Sequence, residues 1–408
     1  MLRKPRALAR EGSRTSDASD AAGAVDTIDA ADAAAAPEGS AARSAGADPE
    51  LGRASQWRLI WRKFRRHKLA VGGAVVVLFV YLVVVFAEFL APAGSSTTNE
   101  RLTYAPPQTV QVDFSFSDGI DLYVYGFETR RDPETFEQVH TVDESKKIPV
   151  TFFTKGDSYD MWGFIPWDRH LFGAVDPDQR VYFLGADRSG RDLLSRMIYG
   201  ARVSLSIGLI GVAVSFLLGL FFGGISGYFG GVADSTIQRI IEFLMAVPTL
   251  PLWLALSAAV PPDWGPLMRY FAITTILSVI GWTGLARVVR GRFLSLREDD
   301  FVIAARLDGC GRRRIIFRHM VPSMSSHVIA SLSMAVPAMI LGETAMSFLG
   351  LGLQSPAVSW GVLLQEAQNV RTIETAPWLM LPGLAVFVTV LAMNFVGDGL
   401  RDSADPYK

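Results

Sequence analysis

Apolar residues along this chain gather into six long runs: about Leu69–Leu90, Val203–Phe222, Ile240–Val260, Leu267–Val289, His327–Leu349 and Trp378–Val396. Each is close to the twenty or so residues a helix needs to cross a hydrocarbon core about 30 Å thick. The pattern predicts an all-α polytopic membrane protein with six transmembrane helices. Pro248 and Pro251 fall inside the third run. A membrane helix tolerates them where neighbours satisfy the carbonyls that a proline frees. Between the first two runs the pattern changes. Stretches such as Asp121-Leu122-Tyr123-Val124-Tyr125 and Val150-Thr151-Phe152-Phe153 are β-prone and sit among turn-formers. A strand-containing insertion between helices 1 and 2 is expected over residues 92–200. It follows a first transmembrane helix over 69–91 and precedes a five-helix core over 201–400.

The segment before the first run divides in two. Residues 1–56 are dominated by Ala, Asp, Ser, Gly and Arg, and no aromatic residue precedes Trp57. Such a segment buries too little apolar surface to offset its ordering entropy. It reads as a disordered tail, with an alanine-rich helix as the alternative that Gly and Pro interrupt. Residues 57–68 differ. Trp57, Trp61 and Phe64 fall at helical spacing among Arg58, Arg62, Lys63, Arg65, Arg66 and Lys68. That is the make-up of an interfacial helix, or of a positive flank that fixes orientation. The first apolar run lies too deep for a secretory signal peptide, so it reads as a retained anchor.

Basic residues set the topology. The loop between the fourth and fifth runs carries Arg287, Arg290, Arg292, Arg297, Arg306, Arg312, Arg313, Arg314 and Arg318; the C-terminal 401–408 carries Arg401 and Lys408. The basic flank, the arginine-rich loop and the tail all fall on one side, the cytoplasmic one by the positive-inside rule. The chain is thus expected to be a multi-pass protein of the inner (cytoplasmic) membrane with both termini in the cytoplasm and the insertion outside. Composition agrees: half the residues are hydrophobic and only 19% are charged, a balance few soluble domains reach. The net charge of −1 carries no field that would suggest nucleic acid. The single cysteine, Cys310, excludes an intrachain disulfide.

Chemistry-bearing motifs are missing. The sequence has no Gly-x4-Gly-Lys-Ser/Thr phosphate loop, no His-Glu-x-x-His and no Gly-x-Ser-x-Gly. Its five histidines and one cysteine have no metal-ligand spacing. No catalytic residue, metal or cofactor is expected, and no substrate-binding residue can be assigned. Asp187, Arg191 and Asp192 look catalytic in isolation, but at the mouth of a span they read as a local charge network. Glu242 stands one turn from Arg239 and reads as its structural partner. Glu343, near the outer end of the fifth run, reads as a helix-packing residue, although intramembrane acids are costly and functional by default.

The informative loop lies within 290–325 and centres on Asp299–Pro322. It reads as two short helices joined at a glycine. Glu298, Asp299 and Asp300 supply a cap and negative charge to the first. Ala304 and Ala305 offer a small surface for close approach by another chain. Gly309 and Gly311 break the helix and permit positive φ. The second helix sets Ile315, Ile316 and Phe317 against Arg312, Arg313, Arg314 and Arg318, and Pro322 opens the next span. A connector this long and patterned suggests function; a loop resting on lipid headgroups is the plainer alternative.

This loop resembles that of the binding-protein-dependent ABC importer permeases, Glu-Ala-Ala-x3-Gly-x9-Ile-x-Leu-Pro. Ala304, Ala305, Gly309 and Pro322 match in register, whereas Ile303 replaces the leading Glu, His319 the Ile and Val321 the Leu. The acidic contact then falls to Asp299, to Asp300 or to neither. Three further motifs resemble the C-type subunit of the oligopeptide/dipeptide/nickel branch. They are Leu184-Gly185-Ala186-Asp187-Arg188-Ser189-Gly190-Arg191-Asp192 leading to Arg202, Glu343–Gly352 with Pro356 and Ser359-Trp360-Gly361, and Gly397-Asp398-Gly399-Leu400-Arg401-Asp402. The resemblance covers about residues 57–408. It implies a peptide-translocating permease without its own ATPase site, nickel or another small solute being the alternative cargo. The partners it implies are a second permease subunit, two ATP-binding subunits and an extracytoplasmic substrate-binding protein, with Ala304, Ala305, Arg306, Gly309, Arg313 and Pro322 in the ATPase-coupling loop. An ion-coupled secondary transporter would show more spans and internal repeats. A membrane anchor or sensor built around the insertion would need only one or two spans.

Overall fold

The computed structural model describes residues 56–115, 119–134, 138–176 and 178–404. The expected tail over 1–56 therefore lies outside the described residues save for Gln56, as do the last four residues of 401–408.

Helix α1 (Gln56–Arg66) precedes α2 (Lys68–Val85), and His67 between them caps α2 by accepting the Ala70 N–H through Nδ1 at 3.2 Å. A short turn, α3 (Ala87–Leu90), follows the first span. The insertion follows. It is one antiparallel meander, β1 (Gln111–Ser115), β2 (Gly119–Arg131), β3 (Gln138–Met161) and β4 (Ile165–Ala174), in sequential order. Its small core holds Val124, Ile148, Val150, Ala174 and Val181. Bulges at Tyr125/Gly126 and between Lys155 and Tyr159 bend the long strands.

Asp157 lies in the second bulge and ties the sheet to the end of the first span. Its carboxylate accepts the Gly94 N–H at 2.9 Å, the Thr97 hydroxyl at 3.1 Å and both terminal nitrogens of Arg180 at 3.0 and 3.1 Å. The Arg180 guanidinium, helped by the Gly94 N–H, holds the carboxyl down at about 2, against an ordinary value of 3.8. A depressed carboxylate stabilises the fold fully above its unfolded value and loses that stabilisation as pH falls through the folded one. The wild-type melting temperature should therefore fall more steeply than that of Asp157→Asn between pH 4 and pH 2. Parallel curves in differential scanning fluorimetry would contradict this.

The elements that follow are helices: α4 (Leu193–Phe229), α5 (Gly231–Ala246), α6 (Thr249–Ala258), α7 (Pro266–Leu296), α8 (Asp300–Leu307), α9 (Arg312–Arg314), α10 (Val321–Ser323), α11 (Ser325–Phe348), α12 (Trp360–Gln365), α13 (Val370–Thr375) and α14 (Leu381–Ala404). Among the described residues five segments, Lys68–Val85, Leu193–Phe229, Pro266–Leu296, Val328–Phe348 and Pro377–Ser403, are long and apolar enough to cross a membrane. The third expected run is not a continuous helix. It is the pair α5 and α6, bent by 87°. Val247 is extended there and Pro248 occupies the start of α6. The ring fixes φ and removes a donor, so the helix breaks rather than accommodates.

The second span also differs from expectation. α4 begins at Leu193, inside the range assigned to the insertion, and runs on to Phe229. At 1.5 Å per residue its length is about 55 Å, well beyond a hydrocarbon core of about 30 Å. Asp192 caps it, accepting the Ser195 N–H at 2.7 Å. Its main partner is α7, and small residues bring the two together. A Cβ on Gly223 would sit 2.5 Å from the Ala286 carbonyl oxygen, and one on Gly227 would sit 2.8 Å from that of Arg290. Repeated small residues four apart allow this backbone approach, and dispersion contacts then hold the helices in lipid.

Candidate functional site

The loop from Asp299 to Pro322 is a folded platform. Its inner side belongs to one apolar cluster: Val302 and Ala305 of α8, Ile315 and Met320 beyond it, Val289 and Phe293 of α7, and Met324 and Val328 at the start of the next span. The loop is thereby packed onto both helices it joins.

Helix α8 ends in a two-bond C-cap. Gly309 N–H donates to the Arg306 carbonyl at 3.1 Å and Cys310 N–H to the Ala305 carbonyl at 3.0 Å. The left-handed residue this motif requires is Gly309, at φ +72°. Cys310 and Ala305, the two positions whose apolar contact usually accompanies such a cap, both pack in the same cluster. Gly311 has φ −63° and acts as an ordinary extended residue before α9. Asp299 occupies the N-cap of α8 without a side-chain cap bond, so its contribution is charge alone.

The site residues expected from the sequence divide between the two faces. Ala304, Arg306, Gly309, Arg313 and Pro322 are exposed. Ala305 is buried, so it cannot offer a close-approach surface; a methyl group there fills the cluster beneath the helix. Phe317 also reverses expectation. Ile315 is buried, but Phe317 points outward. Two residues apart, they fall on opposite sides of a helical turn, and the segment Ile315–Met320 that holds them is π-helical.

The outward face of α8 carries Asp300, Ile303, Ala304 and Leu307, the i, i+3, i+4, i+7 stripe of a helix. Leu307 is 84% exposed. Sequence reasoning missed Leu307, although its spacing from Ile303 and Ala304 was there to be read. Arg306 lies over the Tyr228 ring at 5.8 Å and Arg312 over the Phe229 ring at 6.0 Å, so the end of α4 also meets the platform.

Two buried polar clusters brace the opposite end of α4. In one, Asp187 accepts the Ser189 N–H at 2.8 Å, the Arg191 N–H at 3.0 Å, the Arg191 Nε–H at 2.7 Å and the Arg196 guanidinium. Glu366 faces the same two arginines at 3.4 and 3.3 Å. Arg196 and Asp187 are almost wholly buried; Asp187 and Arg191 form the charge network expected of the motif together with Arg196 and Glu366, whereas Asp192 stands outside it and caps α4 through Ser195. Arg239 and Glu242 form an exposed ion pair at 3.0 Å.

Glu343 anchors the other cluster. It is fully buried, and its carboxyl receives hydroxyl bonds from Ser204 at 3.0 Å, Ser347 at 2.8 Å and Ser359 at 2.7 Å. Each hydroxyl oxygen is itself an acceptor: Ser204 from Trp360 N–H, Ser347 from Leu353 N–H and Ser359 from Val362 N–H. Each serine therefore spends its only proton on Glu343. The cluster joins α4, α11 and α12, and no basic side chain among the described residues pairs with Glu343.

Residues 217–407 match the family described as binding-protein-dependent transport system inner membrane component, and residues 55–107 match the N-terminal TM domain of oligopeptide transport permease C. The chain is 30% identical over 348 residues to the dipeptide transport system permease protein DppC of Bacillus subtilis, covering 85% of this chain and 84% of that one. It belongs to this family of ABC transport permeases. It is also 37% identical over 258 residues to the oligopeptide transport system permease protein OppC of Haemophilus influenzae, covering 63% of this chain and 80% of that one. A solved structure of the MetNI methionine ABC transporter in inward-facing conformations aligns with 52% of this chain and 98% of that one, at 16% identity and a TM-score of 0.40. Within the longer family match fall the α8 platform, Glu343 with Ser347 and Ser359, and the C-terminal glycines, while Ser204 lies outside it. Gly397 packs on Met334, and Gly399 on Ala70 and Phe64, so the Gly-Asp-Gly ending seats α14 against α11, α2 and α1.

Proposed function

We propose that this permease forms half of the membrane pathway of an ATP-driven importer of di- or oligopeptides. A second permease subunit supplies the other half, two ATP-binding subunits bind beneath the pair with one of them docked on the α8 platform, and an extracytoplasmic binding protein delivers substrate. The relatives named above are oligopeptide and dipeptide permeases, which supports the peptide cargo. Both termini and the platform lie in the cytoplasm on this reading, the insertion lies outside, and the bent pair α5–α6 accounts for the sixth span.

One observation carries the proposal. α8 presents an exposed apolar stripe, Ile303, Ala304 and Leu307, on a capped helix whose other face is locked to both neighbouring spans. A rigid platform converts displacement of a docked partner into displacement of the spans; a flexible tether would not. ATP binding closes the ATPase dimer, the platform follows, and the pathway opens outward; release of ADP and phosphate reverses the motion. Where the family resemblance expects a leading Glu, Ile303 makes the stripe apolar, and Asp300 supplies the acid at its start.

The test is uptake into proteoliposomes. Labelled peptide should enter only when ATP, both ATP-binding subunits and the binding protein are present. Uptake by the permeases alone, driven by an imposed ion gradient, would overturn the proposal.

A further inference from the structure

The β3–β4 hairpin ends in Met161-Trp162-Gly163-Phe164-Ile165-Pro166-Trp167, a run without charge between Asp160 and Asp168. Its turn is unusual. Trp162 has φ +54°, and Phe153 further along β3 has φ +59°. Large aromatic residues rarely occupy the left-handed region, so the surrounding contacts must hold each of them there. Both lean toward the end of the first span. Trp162 Nε1–H donates to the Val85 carbonyl at 2.7 Å, and its ring lies 6.1 Å from Phe86. Phe89 stacks on Trp167 at 5.7 Å and meets Phe153 at 5.9 Å.

This contact fixes the hairpin's height. α2 has 18 residues, hence a length of about 27 Å, close to the thickness of a hydrocarbon core. Val85 ends it, and the side chains of Leu78, Phe79 and Leu82 along its outward face are exposed. A side chain bonded to the Val85 carbonyl therefore stands where hydrocarbon gives way to headgroups. Trp162 remains 47% exposed and Phe164 71% exposed even after these contacts. An amphipathic indole with its N–H satisfied, beside a largely exposed phenyl ring 6.1 Å away, is what that boundary selects.

The geometry points to the β3–β4 hairpin tip as a second membrane anchor, with Trp162 and Phe164 immersed in the bilayer interface beside the end of the first span. The occupant is lipid, because the exposed surface continues the outward apolar face of α2 and the run Met161–Trp167 carries no charge for a polar partner. The sheet is then held at both ends of its contact, by Asp157 to the loop after the span and by the aromatic tip to the bilayer.

The full chain, in a Cys310→Ser background, is spin-labelled at Phe164→Cys and placed in nanodiscs of phosphatidylethanolamine and phosphatidylglycerol. Phe79→Cys on α2 is the membrane reference. Glu144→Cys is the aqueous reference, on the order of 50 Å along β3 from the tip at about 3.3 Å per residue. The Phe164 label should collide with oxygen in preference to a water-soluble nickel chelate, with a ratio several-fold above that of the Glu144 label. A ratio equal to that of Glu144 overturns the anchor. A label shielded from both reagents places the tip against protein and overturns it equally. Interface-brominated lipid should also quench wild-type tryptophan fluorescence more than that of Trp162→Phe; equal quenching contradicts the proposal.

Discussion

Gly309→Val is expected to leave the permease inserted in the membrane and to abolish substrate-stimulated ATP hydrolysis by the assembled transporter. No atom stands within 4 Å of a Cβ built at Gly309, so the substitution causes no clash inside the chain. The penalty is conformational. A β-branched residue at φ +72° costs roughly 1–3 kcal/mol, and the chain escapes it by opening the C-cap. Opening it releases the bonds from Gly309 and Cys310 to the last turn of α8 and tilts the exposed stripe. Asparagine tolerates the left-handed region far better, so Gly309→Asn should keep most of the stimulation. Wild-type stimulation in the valine variant would refute this role. Equal loss in both variants would show instead that the docked partner needs the empty space above Gly309.

Glu343→Leu is expected to be the most destabilising single change in the membrane core. Three serine hydroxyls, each already accepting a backbone N–H, lose their only acceptor at once. Stranding such buried groups costs on the order of 3–5 kcal/mol, a large part of an ordinary protein's stability. The variant should accumulate poorly and melt well below wild type in mild detergent. Glu343→Gln keeps the volume and one carbonyl acceptor. Set toward Ser347 and Ser359, that carbonyl leaves only Ser204 to repartner, so a loss of about 1–3 kcal/mol follows. A leucine variant as stable as wild type would mean that the cluster does not hold α4, α11 and α12 together.

Much of this fold was legible in the apolar runs. Hydrocarbon leaves a backbone few ways to satisfy its polar groups, so length and hydropathy mark the spans well. They mark the ends poorly. α4 starts at Leu193 because Asp192 caps it and because Arg196 is neutralised by Asp187 and Glu366, partners far away in sequence or hidden in a turn. The break at Pro248 was visible as a proline, but whether a proline bends or breaks a span depends on neighbours that sequence does not locate. The platform shows the same division. Gly309 and its cap were readable from residue type. The burial of Ala305 and the exposure of Leu307 depended on which face of α8 met α7 and α11. Phe317 faces outward because it stands two residues from buried Ile315, on the opposite side of the turn, a spacing the sequence already carried.

The most direct test of the permease as a driven subunit places a photo-crosslinking phenylalanine derivative at Leu307 in the assembled transporter in native membranes. Light should join this chain to the ATP-binding subunit from position 307 and not from Phe79 on the outward face of α2. A transporter that stays active with the probe at 307, yet yields no adduct with the ATP-binding subunit, would contradict docking on α8.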